Sequence, residues 1–310
     1  MARQALTAAG SGTAGAGAAG AGAQQSSLAS VPALRKRLVQ ASAPRAQRYP
    51  EWLDGRWRLS LRFVRAVFPF AEVNPAFQKR LLQTASVPGF RKLSIAATPD
   101  VGAEEQIRGM RFSSGRADAA WNITQAIETG MGESVSVRSV EERGDNRMTV
   151  ALRGVPGAER IELFTNARAS ATRFADGDND GDGNGGGDGA GDSRRMEIFE
   201  ASESIRQVTL GYSSQYGMAR EDIGDYSHVW AFTRYPWVAA GDSASDGNTE
   251  EDMKVRVHLT TAAYLQPNEA LSLTSPGGSA PDASQLLDFS TRPVVVYKHS
   301  GSMTRYASDS

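Results

Sequence analysis

Hydrophobic and polar positions alternate most clearly just after residue 55. Trp57, Leu59, Leu61 and Phe63 interleave with Arg58, Ser60 and Arg62. Side chains on a strand point to opposite faces in turn, so this stretch predicts a half-buried strand with one apolar face. The same reading predicts strands over Phe90–Thr98, with Leu93, Ile95 and Ala97 on one face, and over Gln106–Phe112. Further strands are predicted over Ser134–Val140, Arg147–Leu152, Arg160–Ala167 and Glu197–Leu210, then Tyr226–Tyr235, Met253–Tyr264 and Pro293–Ser300. Gly144-Asp145-Asn146 supplies a hairpin turn between two of them. Ile123, Ala126, Ile127 and Met131 fall at helical spacing, which predicts a helix over 121–131, and a second short helix is expected over 31–40. About nine or ten strands with one or two short helices is a mainly β pattern. It lacks the regular helix alternation of a parallel sheet and suits a single antiparallel barrel, in which closure removes exposed strand edges.

Composition divides the chain. Residues 1–50 are rich in Ala, Gly, Ser and Gln, with Arg3, Arg35, Lys36, Arg37, Arg45 and Arg48 and no Asp or Glu. This is the composition of an organellar transit peptide. Residues 175–192 hold six Asp and eight Gly, and residues 241–252 form a second acidic run. The expected organisation is a disordered tail over 1–48 and one barrel domain over 49–310, with disordered acidic inserts at 175–192 and 241–252, where strand connections tolerate them. The formal net charge of −1 conceals these opposed segments, and the remainder is mildly basic. Its charges are too scattered for the stripe that nucleic acid requires. There is no cysteine, which excludes disulfides, thiolate nucleophiles and Cys-held metal. No run approaches the roughly 18 apolar residues of a membrane span.

Several motifs fail on context. Gly10-Ser11-Gly12-Thr13-Ala14-Gly15 matches a dinucleotide fingerprint in letters, but no strand precedes it and no helix follows it. Asp176, Asp178 and Asp180 begin like a calcium loop, yet neither register supplies the Glu at the twelfth position. His228, His258 and His299 do not share a face: His258 alternates against Val257 and Leu259 and is expected outside, beside Arg256. No nucleophile elbow or paired acid is legible, so the expected activity is non-enzymatic, with no metal and no cofactor.

The aromatic strand carries more. Tyr226, His228, Trp230 and Phe232 share one face, joining large apolar surface to polar tips. Small-molecule pockets are built this way, and so are the packed interiors of small barrels. Arg206 and Gln207 fall on opposite faces, so one of them is expected inside. There it needs a polar partner, which Glu203 or a ligand carboxylate could supply.

Several segments resemble a family of uncharacterised plant, algal and cyanobacterial proteins classed as a domain of unknown function. They are Tyr49-Pro50-x-Trp52-Leu53-x-Gly55-x-Trp57, Val87-Pro88-Gly89-Phe90-x-Lys92-x-Ser94-Ile95-Ala96-Ala97 and Pro99-Asp100-Val101-Gly102, followed by residues 158–164, 205–210 and 264–267. The resemblance implies a chloroplast setting, in the stroma or associated with thylakoids, and carries no assigned reaction. A looser likeness is to lipocalins and other calycins, in which the Trp of Gly-x-Trp closes the barrel floor under an Arg from the last strand. Trp57 would be that Trp, with Arg292 or Arg305 as the Arg.

The expected protein is therefore a lipocalin-like β-barrel that binds a small apolar or amphipathic molecule: a pigment, a tetrapyrrole or a lipid. The candidate ligand-binding residues are Trp57, Glu203, Arg206, Gln207, Tyr226, His228, Trp230 and Phe232. The alternative is a structural or assembly factor with a filled barrel, whose outer surface meets a thylakoid protein complex. An open interior favours the first and a filled one the second.

Overall fold

A computed structural model describes residues 46–69, 81, 87–89, 93–176, 195–213, 218–234, 254–266, 269 and 291–306. The tail over 1–45, the helix expected over 31–40 and nearly all of both acidic runs lie outside these residues.

The described strands are β1 (Gly55–Val67), β2 (Glu105–Ser113), β3 (Arg116–Ala117), β4 (Ser136–Glu142), β5 (Arg147–Arg153), β6 (Arg160–Asp176), β7 (Arg195–Ser213), β8 (Met218–Arg234), β9 (Lys254–Tyr264) and β10 (Val295–Arg305). One helix, α1 (Ala119–Met131), joins β3 to β4. The strands form one antiparallel sheet in the order β3-β2-β1-β10-β9-β8-β7-β6-β5-β4. Among the described strands, only the pairing of β1 with β10 joins chain-distant ones. The sheet curls into a half-barrel, and the alternation of β1 sets its inner face: Trp57, Leu59 and Leu61 are fully buried.

Helix α1 takes the seam. It packs against both β2, next to one end of the strand order, and β4, at the other end. Its polar side chains satisfy backbone groups that a neighbouring strand would otherwise pair. The Asn122 amide donates to the Arg111 carbonyl and accepts from the Arg111 N–H at 3.1 and 2.7 Å. Further along, the Glu128 carboxylate accepts from the Val137 N–H of β4 at 3.0 Å. An unpaired edge is an aggregation template, and here a helix covers it. Asp118 caps the helix by accepting from the Trp121 N–H.

The segment over 93–102 differs from its expected strand. It is a run of turns and bends, with Leu93 and Asp100 in the left-handed region. Its apolar residues Leu93, Ile95, Ala96 and Val101 are buried, which is why their spacing reads as a strand. Interior side chains, not a neighbouring strand, satisfy its backbone. Gln207 donates to the Leu93 carbonyl and accepts from the Ala96 N–H. Gln106 donates to the carbonyls of Pro99 and Asp100, Arg108 to that of Ala97, and His299 Nε2 to that of Val101. The segment is a plug across one end of the curl. Gly130 lets α1 approach it, since a Cβ there would meet the Pro99 side chain at 2.9 Å.

The other end is the floor. Gly55, at φ +126°, turns the chain from the 3-10 turn Glu51–Leu53 into β1, a conformation that favours glycine. The Trp57 indole N–H donates to the Leu53 carbonyl at 2.7 Å, and the Arg305 guanidinium lies 5.1 Å above its ring. Of the two arginines expected at this position, Arg305 occupies it. Around Trp57 pack Leu59, Phe112, Phe199, Phe232, Val257 and Met303.

Candidate functional site

Between floor and plug the inner face turns polar, and the side chains there do not fill the curl. A cavity of about 250 Å³, open at one side, lies under α1. Its rim includes the turn around Asp145 and the segment Ala46–Tyr49, and its walls come from β2, β5, β6, β7, β8 and α1.

Strand β2 builds the first wall. Phe112 and Met110 must face the floor, and the two-residue period then carries Arg108 and Gln106 inward with them. Ile107 is left 40 % exposed on the outer face. Arg108 is only 8 % exposed and, among the described residues, donates one hydrogen bond, to the Ala97 carbonyl. No carboxylate among the described residues pairs with it. Burial alone lowers its pKa to about 10, which still leaves it charged at neutral pH.

Across the curl stands β8, separated from β2 by three strands in the sheet order. Tyr226, His228 and Trp230 line the cavity, while Phe232, on the same face, is packed into the floor beside Trp230 and Phe112. His228 is 1 % exposed. Its Nδ1 contacts the Thr261 hydroxyl at 2.8 Å, and its buried Nε2 has no partner among the described residues. Burial, reinforced by the nearby Arg108 and His299, lowers its pKa to about 3 and keeps the ring neutral. The Tyr226 phenol donates to the Gln207 carbonyl oxygen at 3.1 Å; burial, then Glu203, raises its pKa.

Glu203 reaches the cavity from β7 and is held at 2.6 Å by Arg168 of β6. A bulge between Thr165 and Ala167 flips the parity of β6, which brings Arg168 to the inner face. Arg168 also donates to the Asp145 carbonyl and so ties the rim to the wall.

Of the residues expected at a ligand site, the cavity thus gathers Glu203, Tyr226, His228 and Trp230. Trp57 and Phe232 belong to the floor. Arg206 points outward and forms a two-point ion pair with Asp225, at 2.9 and 3.0 Å. Gln207 is the interior member of that pair, and its partners are the plug and Tyr226, so neither Glu203 nor a ligand is needed to satisfy it. The three histidines do not converge: His258 lies on the strand face opposite to His228 and His299. Arg108 was not expected, although its parity with Met110 and Phe112 is readable in the chain.

Searches of protein-family models, curated proteins and solved structures find no match to this chain.

Proposed function

We propose that this protein binds a small amphipathic molecule inside the curled sheet, in the setting of a chloroplast. The observation that carries the proposal is the cavity itself: apolar surface from Met110, Ile123, Ala126 and Trp230 beside polar groups from Arg108 and His228. Binding sites are generally concave and mostly apolar, with a few polar groups that fix orientation. At about 250 Å³, the space lies just below the roughly 300–1,000 Å³ common for drug-sized ligands. That favours a compact lipid-like molecule over a pigment or tetrapyrrole. The acid-free tail supports the organellar address, since its composition is that of a transit peptide.

The test is purification from the native source, followed by organic extraction and mass spectrometry. The proposal expects a small amphiphile in near-equimolar amount. Ligand-free protein that comigrates with a thylakoid complex would overturn it and favour the assembly factor.

A further inference from the structure

Arg108 and His228 present an unusual pair of needs. A buried cation is costly unless it is paired, and among the described residues Arg108 has only the Ala97 carbonyl as its acceptor. A guanidinium carries five N–H donors, so most of its capacity is unused among the described residues. From the opposite wall, His228 brings a buried ring nitrogen with no partner among those residues. If the Thr261 hydroxyl donates to Nδ1, the proton of the neutral ring sits on Nε2 and makes it a second donor. The remaining charged groups of the lining are engaged or lie toward the rim. Glu203 is paired with Arg168, Arg147 is bound to Glu162, and Arg116, Glu142 and Asp145 are exposed.

We propose that the ligand ends in a carboxylate, whose oxygens accept from the Arg108 guanidinium and from His228 Nε2. This rests on the cavity being a binding site, and it names the class of molecule bound. Two donors from opposite walls suit an acceptor with two oxygens, and charged pairs of this kind are the stronger hydrogen bonds. One fixed positive charge matches a monoanion; a phosphate monoester brings about −1.5 to −2 and would be left undercompensated. Met110, Ile123 and Ala126 continue the lining away from the pair as apolar surface for the tail.

Isothermal titration calorimetry of the folded protein with octanoate, octanol and inorganic phosphate separates the alternatives. Octanoate is expected to bind at least about tenfold tighter than octanol, and phosphate not measurably. Arg108→Met should bring octanoate down to the level of octanol, and His228→Phe should weaken octanoate several-fold. Should Arg108→Met fail to fold, the native octanoate-to-octanol ratio and the His228→Phe variant decide. Equal binding of octanoate and octanol would overturn the carboxylate assignment but leave the binding cavity standing. Phosphate as tight as octanoate would overturn it in favour of an inorganic anion. Binding of none of the three would sink both the assignment and the cavity reading beneath it.

Discussion

The two ends of the barrel interior obey one alternation and reach opposite results. At the floor, inward positions of β1, β2, β7, β8, β9 and β10 are almost all apolar, and their side chains interlock around Trp57. Midway up the same strands the inward positions become Arg108, Glu203, His228, Thr261 and His299. There the interior is stitched by hydrogen bonds to the plug over 93–102 and leaves a cavity beneath α1. An apolar floor is stabilised by each side chain it buries. A polar layer gains little net stability from each hydrogen bond and loses more when one is left unmade. Here most of those bonds hold the plug, while Arg108 keeps donor capacity and His228 a ring nitrogen that no described residue uses.

The largest expected effect lies at the floor. Trp57→Ala should destabilise the protein by roughly 3–5 kcal/mol, as for other buried Trp truncations, measured by urea unfolding. A loss below about 1 kcal/mol would mean that the floor is not the stabilising half.

Next comes the polar layer, where pH is the lever. The folded pKa of His228 is near 3, against 6.5 for the free side chain. The unfolded chain therefore binds the extra proton, and stability must fall as pH drops from about 6.5 toward 3. Between pH 7 and pH 4.5 this one residue should cost about 2–3 kcal/mol. His228→Gln should lose that part of the pH dependence, read from urea midpoints at the two pH values. An unchanged slope would place His228 in a wetter site than the walls of the cavity allow.

The smallest effect tests the seam, which belongs to neither half. Asn122→Ala removes both bonds between α1 and the edge of β2. It should cost about 1–2 kcal/mol and speed hydrogen exchange at Arg111. Unaltered exchange would show that the edge does not depend on the helix.

Much of this layout was legible in the chain. The alternation from Trp57 to Phe63, the shared face of Tyr226, His228, Trp230 and Phe232, and the helix around Ile123 and Ile127 all follow from local periodicity. The plug did not, because Leu93, Ile95 and Ala97 alternate as in a strand. What prevents pairing is the left-handed backbone at Leu93 and Asp100, supported by Gln207 from more than a hundred residues away. The Glu203–Arg168 pair was hidden by the bulge after Thr165, which reverses the faces of β6. Arg108 escaped because a charged residue beside Ile107 is ordinarily read as the exposed one. In β2 the weight of Met110 and Phe112 decides the other way.

The division between filled floor and open upper half can be tested directly through the methionine methyl groups. Met110 and Met148 line the cavity, whereas Met303 is sealed in the floor. Methyl NMR of ¹³C-methyl-methionine protein titrated with octanoate, and separately with octanol, should move the Met110 and Met148 signals and leave Met303 in place. Shifts confined to Met303, or no shift at any of the three at millimolar ligand, would contradict the account.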